Sequence, residues 1–156
     1  MPLAVLKPAS VSDVMKALRY ANETGLKVSV RGQGHSRWGQ TLAADGILID
    51  SSTLNAVAIS DAGVAEAQTG AQWYMVVEPA LQRGLVPPTL GTCLKLSVGG
   101  ILNVGGYSNS SHLHGGIVDQ VLELEVVTGD GRLIECSPRR NAELDRKSTR
   151  LNSSHT

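Results

Sequence analysis

Apolar positions along the chain change period several times, and each change marks a separate element. In SVSDVMKALRYANETG, residues Val11, Val14, Met15, Leu18 and Ala21 recur at helical spacing, between cap-forming Ser10 and Ser12 and a stop at Gly25, which predicts one amphipathic helix. LKVSVR then alternates with Val28 and Val30 on one face, and GILIDSS reads as a second, more buried strand ending near Asp50. A glycine-bearing loop separates the two. LNAVAIS and GVAEAQTG flank the turn SDAG as a hairpin, and helical spacing returns in AQWYMVVEPALQRG through Trp73, Val76, Val77, Ala80 and Leu81, closed by Gly84. A proline-bearing connection, LVPPTLGTCLKL, leads into SVGGILNVGG, a second glycine cluster around a short apolar segment. VLELEVV and RLIECS form a last hairpin across TGDG.

Strands and helices are mixed with hairpins, without the regular alternation of a doubly wound sheet and without an internal repeat, so an α+β domain is expected. From about Asp145 the chain reads DRKSTRLNSSHT, with neither periodicity nor apolar anchors. This run resembles translated sequencing-adapter read-through. Residues 145–156 are therefore expected to be a non-native or disordered tail that does not pack, with the natural protein longer.

Composition narrows the partners. The chain has 156 residues, 42% of them hydrophobic, and its fourteen basic residues balance fourteen acidic ones. No basic stripe interleaved with aromatics is present, so nucleic acid is not an expected partner. MPLAVLKPAS is too short an apolar run for a signal peptide, and no segment approaches the roughly 20 apolar residues of a membrane helix. A soluble protein is expected, cytoplasmic by default. Cys93 and Cys136 match no zinc or redox spacing and are expected as buried or half-buried thiols. The unusual feature is seventeen glycines beside two Trp, three Tyr and no Phe.

Glycine is kept where backbone turns sharply or approaches something closely, which directs attention to VRGQGHSRWGQ. Gly32 and Gly34 follow a strand, with Asp50 about 20 residues on, as a dinucleotide fingerprint asks. The third glycine of that motif would stand at Arg37, however, and RWGQTLAADG lacks a helical apolar stripe. A phosphate-binding P-loop fails for want of Gly-Lys-Ser/Thr. What remains is a backbone nest able to curl around an anion, with Ser36 adding a hydroxyl and His35 at its edge. His35 has no carboxylate or second histidine at metal-ligand spacing; His112 and His114 read as loop residues, and no metal site is expected. Asp50 reads as a strand-end cap, Asp119 as a turn residue and Trp38 as core. Tyr107, directly after the second cluster, is a candidate for lining a cofactor channel.

VRGQGHSRWGQ, LSVGGILNVGG and VLELEVVTGDG, in this order and spacing, resemble the FAD-binding domain of the vanillyl-alcohol oxidase and p-cresol methylhydroxylase superfamily. Among its members they are most similar to cytokinin dehydrogenases and related FAD-linked oxidases, over about residues 8–144. The resemblance implies that Gly32, Gln33, Gly34, Ser36 and Gln40 bind FAD and that His35 is bonded to the flavin 8α-methyl carbon. An imidazole can attack an electrophilic form of that methyl group, and attachment raises the oxidising power of the flavin. Ser97, Gly99, Gly100 and Asn103 match the family's second motif, continued by Gly105, Gly106 and Tyr107. Two subdomains, about residues 1–55 and 56–144, would clasp the cofactor. The implied activity is hydride transfer from an alcohol, amine or sugar-like donor to flavin, with oxygen or a quinone as acceptor.

One position departs from the pattern. Cytokinin dehydrogenases carry an Asp five residues before the second motif's Ser/Thr, and Thr92 stands there; a threonine hydroxyl is no general base near neutral pH. The catalytic base is thus unassigned. Two other readings stand beside the oxidoreductase: a non-catalytic module for a phosphate-bearing ligand, and a truncated inactive fragment without its substrate domain.

Overall fold

β1 (Ala4–Leu6), α1 (Val11–Thr24), β2 (Val28–Arg31) and β3 (Ile47–Asp50) form the first half of the fold, in a computed structural model that describes residues 1–149 apart from Arg37 and Gln40. The three strands make a parallel sheet in the order β1-β3-β2. Central β3 is buried along its whole length, as its unbroken apolar run anticipates, and Val28 and Val30 of β2 lie level with Ile47 and Ile49. α1 lays Val14, Ala17 and Ala21 over this sheet, against Ile47, Ile49, Leu6, Leu26 and Val28. Its start is fixed by the Asp13 carboxylate, which accepts the Ala9 and Ser10 N–H groups at 3.0 Å each and the Ser10 hydroxyl at 3.1 Å. Its end is Gly25, at φ 69°.

The second half begins after a single 3-10 turn, Ser51–Thr53, with the antiparallel pair β4 (Val57–Ile59) and β5 (Ala65–Ala67). It continues through α2 (Trp73–Leu81), α3 (Val98–Leu102), α4 (Ser111–His114) and a 3-10 turn at Ile117–Gln120. A separate hydrophobic cluster joins Ala71, Trp73, Val76, Val98 and Ile117, with Val57, Ala67 and Leu96 packed on it. Between α2, the β4–β5 hairpin and the connection at Leu85–Pro88 lies an apolar groove of about 410 Å³, and Trp73 Nε1 on its wall is buried with no hydrogen-bond partner among the described residues.

β6 (Leu124–Val127) and β7 (Leu133–Cys136) form the last hairpin, followed by α5 (Ala142–Thr149). The turn of this hairpin is seated on α1: Arg19 Nε donates to the Gly131 carbonyl at 3.2 Å and Asn22 Nδ2 to that of Gly129 at 2.7 Å. Gly131 has φ 75°, and a β-carbon there would lie 2.6 Å from Arg19 Cγ, so only glycine lets the turn lie this flat.

Several sequence expectations are corrected. Trp38, expected in the core, is 86% exposed, because the loop that carries it runs over the surface. Cys93 is exposed, whereas Cys136 is buried as expected. The polar run from Asp145 begins inside α5, where Asp145 is buried; residues 150–156 lie outside the described residues.

Candidate cofactor site

The first glycine loop springs from a fixed base. Arg31 and Asp50, the last residues of β2 and β3, are paired in register, and Arg31 Nη2 lies 2.9 Å from Asp50 Oδ2. The Ser51 hydroxyl donates to the Arg31 carbonyl at 3.1 Å, and Asp50 also accepts the Ser52 N–H at 3.2 Å, so Asp50 is the strand-end cap its position suggested. Burial alone would raise the Asp50 carboxyl pKa; the bonds from Ser52 and Arg31 outweigh burial and hold it below the ordinary aspartate value.

Beyond Arg31 the chain turns outward. Gly32 and Gln33 are half-buried and Gly34, His35 and Ser36 exposed, with Gly34 at φ 71°. Among the described residues none accepts a hydrogen bond from the backbone N–H groups of residues 33–36. No helix follows among the described residues before Ile47, so the loop lacks the helix start of a dinucleotide fingerprint. Gln40 lies outside the described residues.

The second cluster is pinned from below. Ser97 bridges to Gln72 at the head of α2, Val98 N–H donates to the Ala71 carbonyl at 2.7 Å, and Gly99 N–H to that of Thr69 at 2.9 Å. A β-carbon on Gly99 would overlap the Thr69 hydroxyl, and one on Gly100 would lie 2.7 Å from Ser97 Oγ. Asn103 is exposed and its Nδ2 donates to the Gly99 carbonyl at 2.7 Å. Gly105 and Gly106 take φ 89° and 61°, and Tyr107 beyond them is 79% exposed. His112 and His114 are exposed on α4 rather than in a loop, and His112 Nδ1 lies 2.8 Å from the Asn109 carbonyl. Asp119, in the 3-10 turn, accepts the Gly116 N–H at 2.8 Å.

The two clusters meet at Gly32 and Ser97. A β-carbon built on Gly32 would overlap Ser97 Oγ and stand 3.1 Å from Ser97 Cβ. The contact brings the backbone of the first glycine loop against the start of the second, with Gly34, His35 and Ser36 exposed just beyond it. The N–H groups of Val98 and Gly99 are used by the protein itself, whereas those of residues 33–36 have no acceptor among the described residues. Sequence reasoning missed the Arg31–Asp50 strut under the loop; its signal was one charged residue of each sign at matching ends of two adjacent strands. Among the described residues no group of three His, Cys, Asp or Glu could hold a metal ion, and no helix is long and apolar enough to cross a membrane.

Known proteins resemble this chain in sequence and in fold. The family described as FAD binding domain matches residues 2–137. An uncharacterized oxidoreductase, ORF5 in the fasciation locus of Rhodococcoides fascians, is 43% identical over 143 residues, covering 92% of this chain and 33% of that protein. Cytokinin dehydrogenase 9 of Oryza sativa subsp. japonica is 39% identical, covering 92% of this chain and 29% of that one. Among solved structures, a glucooligosaccharide oxidase from Acremonium strictum bearing a 6-S-cysteinyl, 8α-N1-histidyl FAD superposes with TM-score 0.84 at 28% identity, over 95% of this chain and 32% of its own. The chain spans about a third of the length of the relatives it matches. It belongs to the FAD binding domain family, in the p-cresol methylhydroxylase-type branch that serves flavin oxidases and dehydrogenases.

Proposed function

We propose that this chain is the cofactor-holding part of an oxidoreductase that takes hydride from an alcohol, amine or sugar-like donor, with oxygen or a quinone as acceptor, and that His35 is bonded to its FAD. The contact of Gly32 with Ser97 carries the reading, because it joins the two glycine clusters into one site. In this reading the N–H groups of residues 33–36 and the Ser36 hydroxyl receive the diphosphate, and Gly32, Gly99 and Gly100 keep side chains out of the path. Asn103, Gly105, Gly106 and Tyr107 border it, with Gln40 completing the first loop. FAD, when bound, supplies the two-electron acceptor. The two hydrophobic clusters support a division into subdomains near residue 55.

The donor class is left broad because relatives differ by name, one a cytokinin dehydrogenase and another an oligosaccharide oxidase. Thr92, exposed shortly before the second cluster, offers no base, so an amine donor would need its proton taken by another residue. Alone, the chain is expected to turn over no donor. The test is to produce it with excess FAD, precipitate with acid and map flavin onto tryptic peptides. Flavin on the peptide Gly32–Arg37 supports the reading; complete release of flavin by acid is the behaviour of a reversible phosphate-ligand module and overturns it.

A further inference from the structure

We infer that Asp50 is a positioning residue for flavin attachment at His35, acting through Arg31, an inference that rests on the FAD-binding reading above. Its carboxylate is itself fixed. Asp50 is 8% exposed and its Oδ1 accepts the Ser52 N–H at 3.2 Å, which sets the direction of Oδ2. Oδ2 accepts from Arg31 Nη2 at 2.9 Å, and the guanidinium has no other hydrogen-bond partner among the described residues, so Asp50 is what holds the arginine side chain in place.

The arginine stem in turn backs the loop. A β-carbon on Gly34 would meet Arg31 Cδ at 3.6 Å and Cγ at 4.0 Å, the nearest atoms of the described residues apart from its chain neighbours. Gly34 takes φ 71° there, and His35 is the next residue, exposed. The end of β2 is already secured by its register with β3 and by the Ser51 hydroxyl on the Arg31 carbonyl. The ion pair adds something the strand end cannot, a floor under the left-handed turn one residue before the imidazole.

Attachment depends on direction more than on affinity. Joining an imidazole nitrogen to the 8α carbon exchanges one methyl C–H bond and the imidazole N–H for a C–N bond. Two protons leave, and the two electrons pass to dioxygen, the acceptor class named above, which becomes hydrogen peroxide. In the reading above the diphosphate is held by backbone N–H groups spread over residues 33–36, whereas bond formation needs one ring nitrogen aimed at one carbon, and a misplacement of about 1 Å can cost about a hundredfold in rate. A loop without its floor should therefore still take up FAD but couple it slowly.

The chain is prepared without flavin from riboflavin-starved cells, mixed with FAD under air and quenched with acid at intervals, and flavin on the tryptic peptide Gly32–Arg37 is followed by mass. Asp50→Asn should couple FAD at least about tenfold more slowly than the parent, while FAD affinity, read by flavin fluorescence in His35→Ala and His35→Ala/Asp50→Asn, should change by less than about threefold. Arg31→Met keeps the stem but not the ion pair and should be slowed alike, its flavin carried on Val28–Arg37. Asp50→Glu, which still offers the guanidinium a carboxylate, should recover part of the rate. Asn22→Ala loses the bond to the Gly129 carbonyl but keeps the ion pair, and should couple FAD at the parental rate. Asp50→Asn coupling as fast as the parent, rate and affinity falling together, or Asp50→Glu no faster than Asp50→Asn overturns the inference and leaves the FAD reading intact. A parent chain that never carries acid-stable flavin on Gly32–Arg37 overturns both.

Discussion

Gly32 and Ser97 touch so closely that no side chain fits between them, although they belong to different halves of the fold. Gly32→Ala should cost about 1–3 kcal/mol, the usual penalty for overpacking. The Ser97 hydroxyl has no hydrogen-bond partner among the described residues, so Ser97→Ala alone should stay within about 0.5 kcal/mol. The double variant should recover most of the loss, because the obstructing oxygen is gone. Thermal unfolding of the four proteins measures the coupling, and strict additivity would show that the contact does not form.

Gly34 makes a different demand. A β-carbon there would meet Arg31 Cδ no closer than 3.6 Å, so space is available, but φ is 71°. Gly34→Ala should therefore cost about 1 kcal/mol, from backbone strain alone. Gly34→Asn should cost less and Gly34→Val more, an order that a purely steric effect would not produce. Flavin retained per protein after acid precipitation should follow the same order.

The Arg31–Asp50 strut makes the loop base sensitive to acid. Because the folded Asp50 carboxyl ionises below its ordinary value, its contribution is present above about pH 4 and is lost as pH falls through the lowered folded pKa. Asp50→Asn should be less stable than the parent by about 1 kcal/mol at pH 7, a figure reduced for the partial exposure of Arg31. The gap between the two proteins should close below pH 4. A gap unchanged from pH 7 to pH 3 would mean that ionisation of Asp50 contributes nothing.

The two thiols should react at different rates. Burial pushes the Cys136 thiol up, and the Asp145 and Glu123 carboxylates add to the effect, whereas Cys93 is exposed. In the native protein without flavin, iodoacetamide at pH 8 should label Cys93 at least tenfold faster, read by mass of the labelled peptides. Equal rates would show that β7 opens as readily as the surface turn.

Much of this fold is legible as period. α1, α2, β2, β3 and both hairpins stand where apolar spacing changes, and the glycine spacing marks both loops. β1 escapes because three residues carry no period; it becomes a strand only through its pairing with Ile47–Ile49. α3 escapes for the opposite reason: two of its five residues are glycines, poor helix formers, and the segment is held instead by bonds from Val98 and Gly99 to Ala71 and Thr69. Trp38 misleads because bulk and apolarity favour the interior while its surrounding loop stays outside. At the site, residue types were readable one loop at a time. The meeting of Gly32 with Ser97 was not, since a contact between distant segments leaves no local pattern.

The seat of the Gly129–Gly131 turn on α1 has a consequence for how the chain assembles. Its hydrogen bonds join residues 112 and 107 positions apart, from Arg19 to Gly131 and from Asn22 to Gly129. During synthesis the first helix must wait, with that face wet, until residue 131 has emerged, and closing so long a loop is slow. Substitutions at Arg19 or Gly131 should therefore act on the yield of folded protein made in cells before they act on any property of the purified molecule.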